Sequence, residues 1–160
     1  MKIEVRKEHA WLARLVGEWT YETEAVMEPA GATERSTGTE SVRSLDGVWI
    51  VCEGRGELPG GGTARTVMTL GYDTRRRRCV GSFVGTMTTH LWVYDGEVDA
   101  TGEILTLSTV GPSLAAEAKL ASYRDTMEFR GDDQRVLTST FLADDGSWKE
   151  IVRTTYRRVK

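Results

Sequence analysis

Runs of alternating apolar and polar residues, broken at short intervals by turn-forming pairs, constrain this fold more than any other feature of the sequence. In one run, Trp19, Tyr21 and Thr23 alternate with charged or hydroxyl-bearing residues. In a second run, four residues share one face of the pattern: Tyr123, Asp125, Met127 and Phe129. Successive side chains of a β-strand point to opposite faces, so each run predicts a strand with one buried face and one wet face.

Turn-forming residues separate these runs along the chain and predict the number of strands. Asp46-Gly47, Asp95-Gly96 and Asp144-Asp145-Gly146 are typical of hairpin turns. Antiparallel strands joined by hairpins avoid exposed sheet edges when they close into a barrel. We therefore predict an all-β fold, a closed antiparallel up-and-down barrel of about ten strands, with a two-sheet sandwich as the alternative. The strands are predicted to start near Trp19, Glu34, Val48, Arg65, Arg78, His90, Glu103, Leu120, Arg135 and Trp148.

The apolar residues before the first strand have helical spacing. Trp11, Leu12, Leu15 and Val16 fall on one helical face, and Gly17 stands where a C-terminal helix cap is expected. We predict a short helix over about residues 7–16 and a barrel over about residues 17–158. No change in composition marks a second domain, so we expect one domain over residues 1–160.

The charge balance of the chain argues against a nucleic-acid partner. The 160 residues include 21 basic and 24 acidic side chains, for a formal net charge of −3, whereas domains that bind nucleic-acid phosphates are usually basic. No apolar run is long enough to span a bilayer, and the first residues lack a signal-peptide core. We expect no membrane partner and a cytoplasmic location, and the sequence leaves the oligomeric state open.

The two cysteines, Cys52 and Cys79, are expected to be free thiols. They fall on the third and fifth predicted strands. The strand between them puts their Cα atoms roughly 9–10 Å apart, which is beyond the limit of about 7 Å for a disulfide.

Three short motifs resemble a known family. Gly17-Glu18-Trp19, directly after the predicted helix, is similar to the Gly-x-Trp signature of lipocalin and calycin barrels. The stretches Gly71 to Phe83 and His90 to Gly96 make the chain resemble a bacterial lipocalin-like family of unknown function. The resemblance implies that Trp19 closes one end of the barrel and packs against a basic residue late in the chain. The candidates for that residue are Arg153, Arg157 and Arg158.

A more distant resemblance extends to nitrobindin and to the ten-stranded barrels of fatty-acid-binding proteins. Nitrobindins hold haem through a histidine on a strand near the C-terminus. This sequence has no histidine after His90, so the resemblance carries no haem ligand to this chain and we expect no cofactor. The resemblance implies no established activity, and therefore no catalytic residues.

The sequence also lacks local signatures of metal binding and catalysis. His9 and His90 do not have the paired spacing of zinc ligands, and neither a nucleophile elbow nor a phosphate-binding loop occurs. The basic run from Arg75 to Arg78 is expected at a solvated hairpin tip, because the chain is acidic and no aromatic platform flanks the run. We expect no metal site.

Asp125 is the most informative polar residue, because its predicted neighbours on the same face are mainly apolar. An ionised carboxylate in such a place needs a partner, since desolvating it alone is unfavourable. We predict pairing with an arginine such as Arg153, or a hydrogen bond with Tyr123. The functional alternative is a polar anchor for a ligand, or a general acid or base with a raised pKa.

We predict that the barrel binds a small apolar or amphipathic molecule, because a barrel of about ten strands is wider inside than one that side chains alone can fill. Two alternatives are an enzyme that uses Asp125 or His90 as an acid or base, and a structural or interaction module with a filled core. From His90 to Tyr94 the alternation does not decide which face points inward. The residues expected to line the site are Tyr21, Met68, His90, Trp92, Tyr123, Asp125, Met127 and Phe141.

Overall fold

A computed structural model describes residues 1–27, 32–58, 60–113 and 118–159 of the chain. It contains one helix, α1 (Lys7–Ala13), followed by ten strands. The strands are β1 (Gly17–Met27), β2 (Ala32–Leu45), β3 (Trp49–Glu57), β4 (Thr63–Asp73), β5 (Arg78–Gly85), β6 (Trp92–Val98), β7 (Ile104–Pro112), β8 (Leu120–Phe129), β9 (Gln134–Leu142) and β10 (Trp148–Arg158).

The strands form a closed antiparallel barrel in which sequence neighbours pair in order and β1 pairs with β10. The closing ladder runs from Trp19 opposite Arg158 to Ala25 opposite Val152. The predicted up-and-down barrel is therefore confirmed, and the sandwich is excluded. Each predicted strand start lies within two residues of the observed one, because the turn-forming residues mark the hairpins.

The helix is shorter than predicted. It ends at Ala13, and Arg14 is its C-terminal cap, so the expected end near residue 16 is three residues too late. The N–H groups of Arg14, Leu15 and Val16 bond to carbonyls three residues back, which is the tighter geometry common at helix ends. Gly17 is not the cap but the first residue of β1.

The helix covers the barrel end at which β1 begins, here called the closed end. Trp11 packs edge-on against Phe129 with ring centroids 5.1 Å apart, and its indole N–H donates a 2.7 Å hydrogen bond to the Gly102 carbonyl. Trp19 is 1% exposed and donates to the Leu15 carbonyl at 2.8 Å. This end is sealed by aromatic side chains from both the helix and the strands.

Arg158 is the basic partner of Trp19. Its guanidinium lies 4.2 Å from the centroid of the Trp19 rings and donates 2.7 Å hydrogen bonds to the carbonyls of Arg14 and Val16. Arg153 instead bonds to Glu150 on the outer surface. Of the three candidates, Arg158 therefore fills the predicted role.

The interior next to the closed end is solidly packed. Leu70, Cys79, Leu105 and Leu107 point inward and have no exposed surface. Cys52 and Cys79 are free and buried. They lie on β3 and β5 with β4 between them, as predicted.

A buried ion pair lies beside this core. Arg135 is 2% exposed and donates to the carboxylate of Glu40. Its guanidinium also lies 3.7 Å from the centre of the Tyr156 ring and 4.7 Å from that of Trp19. The deepest arginine of the barrel is thus already held by a carboxylate and two aromatic rings.

Candidate ligand-binding site

Several inward-facing side chains keep some exposed surface in the barrel half away from the helix, here called the open half. On β8, Met127 and Phe129 are buried toward the closed end, whereas Asp125 retains partial exposure. On β9, Ser139 and Phe141 are also partly exposed. Because the register places these side chains on the inner face, their exposure shows that solvent reaches the inner face at the end opposite the helix.

Large rings form one side of this space, here called the aromatic wall. It consists of Phe83, Trp92, Tyr123 and Phe141, from β5, β6, β8 and β9. Trp92 and Tyr123 meet edge to face with ring centroids 5.2 Å apart. The Tyr123 and Phe141 centroids are 6.4 Å apart. Aromatic pairs at these distances stabilise each other, so the wall is a continuous apolar surface.

Small polar side chains form the opposite side, here called the polar wall. It consists of Thr23, Ser36, Thr66 and Thr154, from β1, β2, β4 and β10. The hydroxyls of Thr23 and Thr154 are 2.9 Å apart and share a hydrogen bond. These side chains are too short to reach far across the barrel, so this wall contributes little to filling the interior.

Glycines on the inner face let two large rings lie flat against the barrel. A Cβ at Gly111 would stand 2.1 Å from the Trp92 ring, and one at Gly56 would stand 2.2 Å from the Tyr21 hydroxyl. Such distances are far below van der Waals contact, so only glycine allows these positions. The rings therefore line the wall instead of crossing the space in front of it.

Asp125 lies at the base of the open half. Its Oδ2 accepts a 2.6 Å hydrogen bond from the Tyr94 hydroxyl, and Ser139 provides a second hydrogen bond. Burial raises the pKa of the Asp125 carboxyl, and the two hydrogen bonds offset part of that rise. Among the described residues, no cation forms a salt bridge with this carboxylate.

The predicted partners of Asp125 are therefore wrong. Arg153 points to the outer surface and pairs with Glu150 at 2.7 Å. The Tyr123 hydroxyl donates to the Pro112 carbonyl at 2.5 Å. The actual donors, Tyr94 and Ser139, come from β6 and β9 and leave the carboxylate without a counter-charge.

Thr109 adds an unused polar group near this carboxylate. It is 7% exposed, and its hydroxyl has no hydrogen-bond partner among the described residues. It shares the inner face of β7 with Leu107 and lies directly opposite Tyr123 on β8. Leaving a buried hydroxyl unbonded is unfavourable by about 1–3 kcal/mol, so a ligand that bonds to Thr109 would gain from this arrangement.

The barrel wall beside the aromatic residues is split. Pairing between β6 and β7 stops at Asp95 and Ser108, although both strands continue toward the open end. The His90 ring bridges the split, with its Nε2 3.1 Å from the Val110 carbonyl and its centroid 4.7 Å from that of Trp92. His90 thus belongs to the wall of the barrel.

Among the described residues, two grooves open on the outer surface of the barrel. One of about 470 Å³ lies over the β6–β7 split and reaches the inward residues Thr109 and Tyr123. The other, of about 650 Å³, runs over β1–β3 and is lined mainly by outward polar residues such as Thr37 and Arg55. The unpartnered hydroxyl of Thr109 and the desolvated carboxylate of Asp125 lie on the inner face of the barrel. The candidate ligand-binding site is therefore on that face.

The structure brings together only some of the predicted site residues. Trp92, Tyr123, Asp125 and Phe141 line the open half, and Tyr21 lies below the polar wall, 5.4 Å from the Tyr156 ring. Met68 and Met127 belong to the buried hydrophobic core. His90 bridges the split in the wall.

The undecided face of β6 is settled, because Trp92 and Tyr94 point inward while Leu91 and Val93 are exposed.

Sequence reasoning missed Phe83, Tyr94, Thr109 and Ser139. Alternation from the buried Leu105 and Leu107 would have placed Thr109 on the inner face, so that signal was present. No comparable signal identified Tyr94 as the partner of Asp125, since the two are 31 residues apart.

Other candidate features have ordinary explanations. Arg76 and Arg78, from the basic run, form salt bridges with Asp95 at the rim of the closed end. The described residues contain no group of three or more potential metal ligands. Within the same part of the chain, no helix is long and apolar enough to cross a membrane.

The sequence matches one family over nearly its whole length. Residues 4–158 match a family described as proteins of unknown function, DUF1579. The predicted resemblance to a lipocalin-like family of unknown function is thereby confirmed. No curated protein matches the sequence.

Solved structures share this barrel at low sequence identity. Rv2717c from M. tuberculosis is 11% identical, with a TM-score of 0.63 over 98% of this chain and 100% of that chain. The S-type phycobiliprotein lyase CPES from Guillardia theta is 13% identical, with a TM-score of 0.59 over 98% and 94%. The redesigned β-barrel mFAP0, bound to DFHBI, is 12% identical, with a TM-score of 0.50 over 91% and 99%. At these identities the likeness shows the fold alone.

Proposed function

The chain belongs to the DUF1579 family of proteins of unknown function, and we propose that it binds one small amphipathic molecule in the open half of its barrel. The observation that carries this proposal is the division of the inner surface. An aromatic wall faces a polar wall, and an unpaired carboxylate lies at their base.

This division suits a ligand with an apolar body and a polar end. The apolar body would pack against Trp92, Tyr123 and Phe141, which already form one continuous surface. The polar end would bond to Asp125 and Thr109, whose hydrogen-bonding capacity is not fully used. Ligand pockets in proteins typically combine an apolar lining with a few such polar groups.

The structural neighbours support the proposal at the level of the fold. One redesigned barrel of similar architecture is bound to DFHBI, and another similar barrel is a phycobiliprotein lyase. A barrel of this kind is therefore compatible with a bound small molecule. The identity of the ligand has to come from the side chains of this chain.

The two alternative functions find less support. A filled core does not explain why inward residues such as Ser139 and Phe141 remain partly exposed. His90 has its Nε2 against the Val110 carbonyl, so a wall contact already occupies that nitrogen. The raised pKa of Asp125 is what an acid or base needs, but it is equally the consequence of a desolvated binding group.

We further infer a bacterial, cytoplasmic protein that forms one domain over residues 1–160. Two buried free thiols support a reducing location, because disulfides accumulate in oxidising compartments. This inference is independent of the ligand.

The proposal is tested by titrating the protein with Nile red, a neutral dye whose fluorescence rises in apolar surroundings. We expect saturable binding at one dye per chain. Phe141→Ala should weaken it about tenfold, equivalent to about 1.4 kcal/mol. The matched control is Leu142→Ala, which truncates the next side chain on the same strand, an outward one that is 38% exposed. Non-saturable binding, or equal effects of the two variants, would contradict an interior site.

A further inference from the structure

We propose that the polar end of the ligand is an organic cation, a protonated amine in the first instance. This inference rests on the proposed function and names the chemical class of its ligand. It follows from three features of the open half: the charge at its base, the rings beside that charge, and the unused hydroxyl between them.

The charge at the base of the open half is negative. Asp125 faces the interior with hydrogen bonds from two neutral side chains, Tyr94 and Ser139. Among the described strand residues, the other charged groups on this side lie at the mouth, Glu34 on β2 and the exposed Lys149 on β10. A ligand that reaches the base therefore meets an uncompensated carboxylate.

Aromatic rings lie next to this carboxylate. Tyr123 precedes Asp125 by two residues on the same inner face of β8, and Trp92 contacts Tyr123 at 5.2 Å. The faces of tryptophan and tyrosine rings attract cations, most strongly where water is excluded. The combination of a carboxylate with two such rings is chemically suited to an ammonium group.

Thr109 supplies a hydrogen-bond acceptor in the same place. Its unpartnered hydroxyl oxygen lies on β7, opposite Tyr123 and one inward position from Leu107, the residue that pairs with Asp125. A primary ammonium group has three N–H donors, so it can bond to Asp125 and Thr109 together. A quaternary ammonium keeps the charge but lacks these donors.

Anionic and neutral ligands fit the base less well. A carboxylate would be repelled by Asp125, and the deep arginine that could attract it, Arg135, is already paired with Glu40. A neutral alcohol could donate one hydrogen bond, but it would leave the buried charge uncompensated. The geometry therefore favours the cation over molecules of equal apolar size.

The test is competition against Nile red with four probes that share a ten-carbon chain: decylammonium, decyltrimethylammonium, decanol and decanoate. We expect decylammonium to displace the dye at a concentration at least tenfold lower than decanol or decanoate. Asp125→Asn should remove this advantage while dye binding remains. Thr109→Val should weaken decylammonium binding several-fold and leave decyltrimethylammonium unchanged.

A pH series on the unmutated protein keeps the test decisive if the variants fail to fold. Decyltrimethylammonium has a fixed charge, so its competition reports the protonation of the protein alone. Its affinity should fall as the pH is lowered and Asp125 becomes protonated. Among the described residues, the other charged or titratable side chains that face this space are Glu34 and Lys149 at the mouth and His90 beside Trp92. Glu34→Gln and His90→Gln proteins should therefore retain the same fall.

The outcomes separate the two proposals. Saturable dye binding with decanol or decanoate competing as well as decylammonium would overturn the cationic ligand and leave the interior site standing. Saturable dye binding with no pH dependence for decyltrimethylammonium would also overturn it. Failure of the dye to bind stoichiometrically would overturn the interior site itself.

Discussion

The Tyr94 hydroxyl donates a 2.6 Å hydrogen bond to Oδ2 of Asp125, and this bond joins two strands that are not neighbours in the barrel. Tyr94 lies on β6 and Asp125 on β8, with β7 between them. The contact therefore passes over the inner surface of β7, where it marks the base of the open half. Its effect on the Asp125 carboxyl is directly measurable.

Tyr94→Phe should raise the pKa of Asp125 further. The hydrogen bond favours the ionised carboxylate and so lowers its pKa, against the larger effect of burial, which raises it. An NMR titration that follows the carboxyl carbon of Asp125 measures the change. Tyr123→Phe is the matched control, because the Tyr123 hydroxyl donates to the Pro112 carbonyl instead. A decrease in the pKa in Tyr94→Phe, or an equal increase in both variants, would contradict this role.

The unfolding free energy of the Asp125→Asn variant, measured relative to that of the parent protein, should be higher at pH 7 than at pH 4. Burial raises the folded-state pKa of Asp125 above its unfolded value. In the window between the two values the folded state binds more protons, so the stability of the parent falls as the pH rises through it. Asparagine does not titrate and escapes this loss. Urea denaturation at the two pH values gives the difference in unfolding free energy.

Asp99→Asn is the control with the opposite sign. The Thr101 hydroxyl and several backbone N–H groups lower the pKa of Asp99, so its ionised form stabilises the folded state above the unfolded pKa and loses that effect in acid. The unfolding free energy of this variant, relative to that of the parent, should therefore be lower at pH 7 than at pH 4. The same pH trend in both variants would contradict a raised pKa of Asp125 in the folded state.

Trp19→Ala should lower the unfolding free energy by about 3–5 kcal/mol, as expected for an aromatic side chain removed from a packed core. Trp19 is 1% exposed, and the guanidinium groups of Arg135 and Arg158 lie 4.7 Å and 4.2 Å from the centre of its ring. Chemical denaturation measures the loss. Trp148→Ala serves as the control, since this partly exposed tryptophan contacts Arg124 on the outer surface and should lose about 1 kcal/mol or less. Equal losses would mean that Trp19 does not seal the barrel.

The fold could be predicted because its signals are local. Each hairpin is marked by turn-forming residues, and each inner face by side chains two residues apart. The face of β8 that carries Tyr123 and Phe129 was clear from the sequence, since charged residues fill the other face. The face of β6 was not, because Leu91 and Val93 are as apolar as Trp92 and Tyr94. The structure shows that the smaller pair is the exposed one.

The polar partners inside the barrel could not be predicted, because they depend on side chains that meet across it. Glu40 and Arg135 form an ion pair although they are 95 residues apart in the sequence. No sequence pattern in either strand indicates that these two residues are partners. Met68 and Met127 were expected at the ligand site, since alternation gives the face of a residue but not its depth. Both are buried within the hydrophobic core cluster.

Gly111→Ala should reduce ligand binding without removing any side chain that contacts the ligand. A Cβ at this position would stand 2.1 Å from the Trp92 ring, so the ring has to move off the β7 wall. The neighbouring rings of His90 and Tyr123 leave the interior space as the direction in which it can move. We expect Nile red affinity to fall by about tenfold, or about 1.4 kcal/mol.

The matched rescue is Trp92→Phe in the Gly111→Ala background. The smaller ring should fit against the added methyl group and restore part of the affinity, whereas Trp92→Phe alone should have only a small effect. Fluorescence titration of the three variants, with denaturation curves to confirm folding, measures this coupling. If Gly111→Ala binds the dye as the parent does, Trp92 does not border the site. If it weakens binding and Trp92→Phe fails to rescue it, the effect comes from the β7 backbone.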